Sequence, residues 1–139
     1  MNILEVQPKD STIRQNNFLN KAAQLALRSN MNQRHGCVVV LNDEIISCGW
    51  NHNYNYMYHN FSIHAEMDAL RKIKKNVDLS VAEMYVVRIG PHKYSQLKLS
   101  KPCECCTKGI IVRNIGKVFY SWSIMELNPR NRNNYSYNG

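Results

Sequence analysis

The sequence predicts an α/β fold of three layers, with helices on both faces of a mixed central sheet. Apolar residues recur at helical spacing in two segments, and Pro102 opens a third helix. Short β-branched runs stand between them. One pair of runs is close enough for a hairpin, expected to be the sheet's one antiparallel pair, and the other strands alternate with helices, the pattern of crossovers over one sheet. The length of 139 residues suits one domain whose core needs no disulfides, and an apolar fraction of 44% is ordinary for a globular protein.

The order is helix, hairpin, helix, strand, helix, strand. Residues 1–13 are expected to form an N-terminal extension, 14–127 the folded domain and 128–139 a flexible, polar tail. The first helix spans 14–29, with Phe18, Ala22, Leu25 and Ala26 on its apolar stripe. A valine-rich strand at 36–41 and a second at 44–48 flank the turn residues Asn42 and Asp43. A two-residue loop sets Leu41 opposite Glu44, and so Cys37 opposite Cys48. In a reducing compartment these thiols are expected to be buried packing residues. Residues 51–61, crowded with Asn, Tyr and His, read as a loop. Ser62 suits the N-cap of a helix over 62–75, with Ile63, Met67, Leu70 and Ile73 on its stripe. A strand at 82–89 and a loop at 90–101 follow. Pro102 opens a helix to 114, Gly116 ends it, and 117–121 is the last strand.

The net charge of +8 and a pI near 9.4 favour anionic partners, a nucleotide phosphate or nucleic acid, although the basic residues are scattered rather than clustered. No apolar run approaches a membrane span, and the first ten residues lack a secretory signal, so a soluble intracellular protein is expected. The five cysteines, at 37, 48, 103, 105 and 106, are odd in number and unevenly spaced, which argues against a disulfide scaffold and for metal or catalysis.

Cys103 and Cys106 lie three apart at the start of a predicted helix, so their thiols share one face, and the helix N-terminus favours thiolates. Cys105 points elsewhere. His64 opens the other helix, from which first-turn side chains converge beyond the N-terminus. Glu66, two residues on, diverges from His64 and is placed to reach a water rather than the metal. One imidazole and two thiolates are a catalytic zinc set with an open fourth position. A closed structural site would need a further ligand, and Cys37 and Cys48 do not form a Cys-x-x-Cys pair.

The segments Ile63-His64-Ala65-Glu66-Met67-Asp68-Ala69-Leu70 and Pro102-Cys103-Glu104-Cys105-Cys106 resemble the zinc-dependent cytidine and deoxycytidylate deaminase superfamily, whose signature is this His-x-Glu with Pro-Cys-x-x-Cys. The likeness runs from about residue 22 to 121 and takes in Gly49-Trp50-Asn51. It implies a cytidine deaminase-like fold, one catalytic Zn2+ and hydrolytic removal of an amino group, with Glu66 as acid and base. By the same resemblance Asn51 contacts the substrate sugar, Ala65 lies near the base through its backbone, and the chain forms a homo-oligomer. It also implies a fifth strand and closing helices, for which little chain follows residue 121.

His-Ala-Glu-Met looks closer to nucleotide deaminases than to tRNA adenosine deaminases, so the expected substrate is cytosine in a (deoxy)cytidine nucleoside or nucleotide. A tRNA adenosine deaminase and a non-catalytic zinc-containing nucleic-acid binder stay open as alternatives. Tyr54, Tyr56, Tyr58 and Phe61 either stack on a base or pack as one face of a strand. His52 and His59 are more simply exposed loop residues than a second zinc site. Trp122 either walls the pocket or caps the sheet edge. His35 and His92 are expected to have no ligand role.

Overall fold

The computed structural model describes residues 2–3, 12–56, 59–90, 97–98 and 102–120. The elements are β1 (Asn2–Ile3), α1 (Ile13–Ala26), β2 (Arg34–Leu41), β3 (Glu44–Trp50), β4 (His52–Tyr56), β5 (His59–Ile63), α2 (Ala65–Arg71), β6 (Glu83–Ile89), β7 (Leu97–Lys98), α3 (Glu104–Val112) and β8 (Lys117–Tyr120). The expected tail at 128–139, with Trp122, Tyr58 and His92, lies outside the described residues, as do the side chains of Tyr54, Tyr56, His59 and Phe61.

The main sheet runs β1-β8-β6-β2-β3, with β7 paired to the end of β6. The three-layer architecture is as expected, and β2 shows why its sequence is apolar without a break. Cys37 and Val39 point into one core, with Ala65, Ala69 and Leu70 of α2 and Ile110 of α3. Val38 and Val40 point into the other, with Leu19, Ala22, Leu25 and Ala26 of α1. A strand covered on both faces needs no polar alternation. Thr12 starts α1 through a capping box with Gln15.

Three expectations are corrected. The hairpin is not the sheet's only antiparallel pair, because β6 runs antiparallel to β2 as well. The connection through α2 carries the chain past β2 to its far edge. There β6 is parallel to β3 but two places away from it. Second, Leu41 does face Glu44 across a turn whose two residues have positive φ, but a bulge at Val39/Val40 shifts the register. Cys37 therefore pairs with Gly49, and Cys48 pairs with Val38 on the opposite face of the sheet, so the two thiols do not meet. Third, residues expected to loop form the β4–β5 hairpin, a separate two-stranded sheet. That hairpin takes Ser62 and Ile63 into β5, so the N-cap of α2 is His64, two residues later than the expected Ser62. Asn2–Ile3 pair in parallel with β8 and form one edge of the main sheet. No helix among the described residues is long and apolar enough to cross a membrane.

Candidate active site

The later start of α2 decides what His64 does. It is the N-cap, in an extended conformation (φ −75°, ψ 154°), and its side chain makes no capping bond. The imidazole instead faces α3. Its Nδ1 lies 3.2 Å from Sγ of Cys106 and 3.5 Å from Sγ of Cys103. Cys103 is in turn the N-cap of α3, and its Sγ accepts the Cys106 N–H at 3.4 Å. Two helix N-termini thus meet at three donor atoms, all within 4.8 Å of one another.

A tetrahedral zinc with bonds of about 2.0–2.3 Å keeps its ligand atoms roughly 3.4–3.8 Å apart. The donor set and its spacing fit that ion. Cys105 is exposed and stands outside the group. Burial pushes the Cys106 thiol well up, and the neighbouring Glu66 adds to it. A bound dication inverts that logic, because a coordinating thiol is deprotonated outright.

Glu66 does not join the trio. It sits on the second position of α2, 4% exposed, on the wall of the same cavity as His64 and Cys103. Burial raises its carboxyl above the usual carboxylate range, opposed by its own backbone N–H, by His64 and by the Cys106 thiol.

The cavity measures about 620 Å³, within the ordinary range for a small-molecule site. Asn51 forms part of its wall. Oδ1 accepts the His35 N–H at 2.8 Å, and Nδ2 donates to the Gln33 carbonyl at 2.6 Å, which holds segment 31–35 in place. Ala65 is fully buried at the first position of α2, its backbone between His64 and Glu66. His35 also lines the cavity, outside the metal-binding trio. Burial first, then Arg88 and His64, lower its pKa to about 4, so it is neutral at physiological pH. His52 Nδ1 lies 2.8 Å from the Trp50 carbonyl oxygen and 4.0 Å from the Asp68 carboxylate.

Residues 12–122 match the family model of the cytidine and deoxycytidylate deaminase zinc-binding region. The chain belongs to this family. Membership of the deaminase family implies a hydrolytic deaminase with zinc as its cofactor, and His64, Cys103 and Cys106 make a site able to hold that ion. Among solved structures, the chain is similar to the dCMP deaminase of cyanophage S-TIM5 in apo form (TM-score 0.61, 25% identity, covering 79% of this chain and 84% of that one). It is equally similar to that enzyme in complex with dCMP and dUMP (TM-score 0.60, 25% identity, 80% and 84%). A Thermotoga maritima diaminohydroxyphosphoribosylaminopyrimidine deaminase/5-amino-6-(5-phosphoribosylamino)uracil reductase aligns with TM-score 0.52 and 28% identity over 77% of this chain but 29% of its own. No curated protein sequence gave a significant match.

Sequence reasoning missed two members of this deaminase's site region. Arg88 lines the cavity from β6. The signal was a single charge near the end of an apolar strand, in phase with Met84 and Val86, which face α2 and α3. Asp68 is fully buried on α2, two residues beyond Glu66, bonded to Arg71, Lys72 and the Trp50 N–H. Its spacing of three and four to the two cations could have marked it.

Proposed function

We propose that this deaminase hydrolyses the exocyclic amine of cytosine in a (deoxy)cytidine nucleoside or nucleotide, giving the uracil product and ammonia. His64, Cys103 and Cys106 hold one zinc, and Glu66 moves the protons. The observation that carries the reading is a buried carboxyl sharing a cavity wall with a three-ligand metal set. A structural site closes with four ligands and gains nothing from a desolvated carboxyl beside it.

Zinc in such a site supplies the Lewis acidity that makes water nucleophilic near neutral pH. Glu66 takes a proton from the attacking water on a carboxylate oxygen and passes it to the ring nitrogen beside the amine-bearing carbon. The water oxygen bonds to that carbon. Glu66 then takes the second proton and gives it to the amine as the carbon–nitrogen bond breaks and ammonia leaves. A carboxyl raised by burial suits both directions of transfer. Asn51 donates both Nδ2 hydrogens within the protein, to the Gln33 carbonyl and Met31 Sδ, and is held where the remaining lone pair of Oδ1 can accept from a sugar hydroxyl; the Ala65 backbone lies between the two residues that flank the base. The cyanophage complex with dCMP and dUMP supports a cytosine nucleotide over adenosine in tRNA.

The test is ammonia release by zinc-loaded protein from deoxycytidine, cytidine, dCMP, CMP and adenosine. Glu66→Gln should keep its zinc and lose about 10²–10⁴-fold in rate, the usual contribution of such proton transfers. A variant retaining more than about a hundredth of the rate would sink the role of Glu66. Inosine formed in tRNA with a silent free panel would favour the adenosine reading. RNA binding of steep salt dependence without any turnover would favour the binder.

A further inference from the structure

We infer that Arg88 is the residue by which this site distinguishes a nucleoside monophosphate from the bare nucleoside. The inference rests on the deaminase reading above and deepens it.

Arg88 stands where three strands meet. It is the Cα partner of His35 on β2 and of Lys98 on β7. The position is firmly held, because the next residue, Ile89, pairs with Arg34, whose guanidinium grips the Gly90 carbonyl at 2.6 and 3.0 Å. A binding group carried on a paired strand is better positioned than one on a loop.

Among the described residues lining the cavity, Arg88 is the only side chain with a permanent positive charge. His35 beside it is neutral near pH 7. His64 is committed to the thiols. The reacting edge of a base belongs at the trio and Glu66, and neither a neutral base nor a neutral sugar calls for a guanidinium. A phosphate does: its oxygens match the planar fork of Arg with paired, charge-assisted hydrogen bonds. The cavity, about 620 Å³, has room beyond a base for a sugar and its phosphate.

Calorimetric binding of the products dUMP and deoxyuridine isolates recognition from turnover. Wild-type, zinc-loaded protein should bind dUMP at least about tenfold more tightly than deoxyuridine, the scale of charge-assisted hydrogen bonds. Arg88→Gln should weaken dUMP about 10–100-fold and leave deoxyuridine unchanged. Arg88→Lys, which keeps the charge without the fork, should give an intermediate ratio, which a misfolded variant would not do. Equal weakening of both ligands by Arg88→Gln, or an unaltered ratio, overturns the inference. The two readings fail separately. Deamination with no difference between dCMP and deoxycytidine refutes Arg88's role and keeps the reaction. An Arg88-dependent preference for dUMP in a protein that deaminates nothing does the reverse.

Discussion

Two carboxylates two residues apart on α2 behave in opposite ways. Glu66 is raised by burial, whereas Asp68, equally hidden from solvent, is held below the usual carboxylate range. Burial pushes Asp68 up too, but hydrogen bonds from Arg71 at 2.8 Å, Lys72 at 3.1 Å and the Trp50 N–H at 3.2 Å outweigh it. A carboxyl depressed in the folded state stabilises the fold above its unfolded pKa, and that contribution fades as pH falls through the folded value. Asp68→Asn should therefore cost about 2–3 kcal/mol at pH 7, the scale of hydrogen bonds to a buried charge. The gap to wild type should narrow below about pH 4. Urea unfolding of both proteins across that range measures it, and a constant gap would show that the charge of Asp68 is not what stabilises. The two cations were legible in the sequence at three and four residues' spacing. The third donor was not, because Trp50 reaches Asp68 only through the docking of β3 on α2. The trio was legible for a related reason: the covalent spacing of Cys103 and Cys106 does most of the work, and only His64 depends on the fold.

That docking is an element-scale property, and it turns on Gly49. A Cβ there would meet the Ala65 carbonyl and the Ala69 backbone nitrogen. Glycine lets the first turn of α2 lie directly on β3, which aims His64 at α3 and Glu66 at the cavity. Gly49→Ala must move backbone rather than a side-chain tip. It should lose about 1–3 kcal/mol, as overpacked cores do. Turnover should fall by more than the stability loss explains, because misplacement near 1 Å costs about 10²-fold in rate. Thermal unfolding and zinc content, read beside kcat, separate the effects; unchanged kcat in the folded variant would mean that α2 does not depend on this contact for its aim. Strand and helix identities were readable from period and composition. The bulge at Val39/Val40 and the β4–β5 hairpin were not. A bulge leaves no mark in a uniform run of valines, and the Asn/Tyr-rich stretch is as compatible with a loop as with a hairpin lying outside the main sheet. That hairpin, by absorbing Ser62 and Ile63, is what makes His64 an N-cap whose imidazole faces the thiols of α3 instead of capping α2.

For the whole molecule the question is what the net charge of +8 does. Several cations serve the fold itself. Arg14 bridges Asp43 and Glu83, Arg71 and Lys72 hold Asp68, and Arg113 ties the end of α3 to the Leu70, Ile73 and Lys74 carbonyls that close α2. Pairing with acids cancels their field at a distance, but Arg113 faces carbonyls and keeps its charge, and the excess of eight survives every internal pair. A diffuse positive field of this kind speeds encounter with anions and does nothing for neutral ligands. The kcat/KM for dCMP should thus fall about three- to tenfold as ionic strength rises from about 0.01 to 0.5 M, while that for deoxycytidine stays flat. Arg88 acts at contact range, where salt screens least, so Arg88→Gln should lower the dCMP value throughout and leave its slope with salt nearly intact. If both substrates instead decline in parallel, salt acts on the fold or the metal site, and the basic charge has no part in capturing substrate.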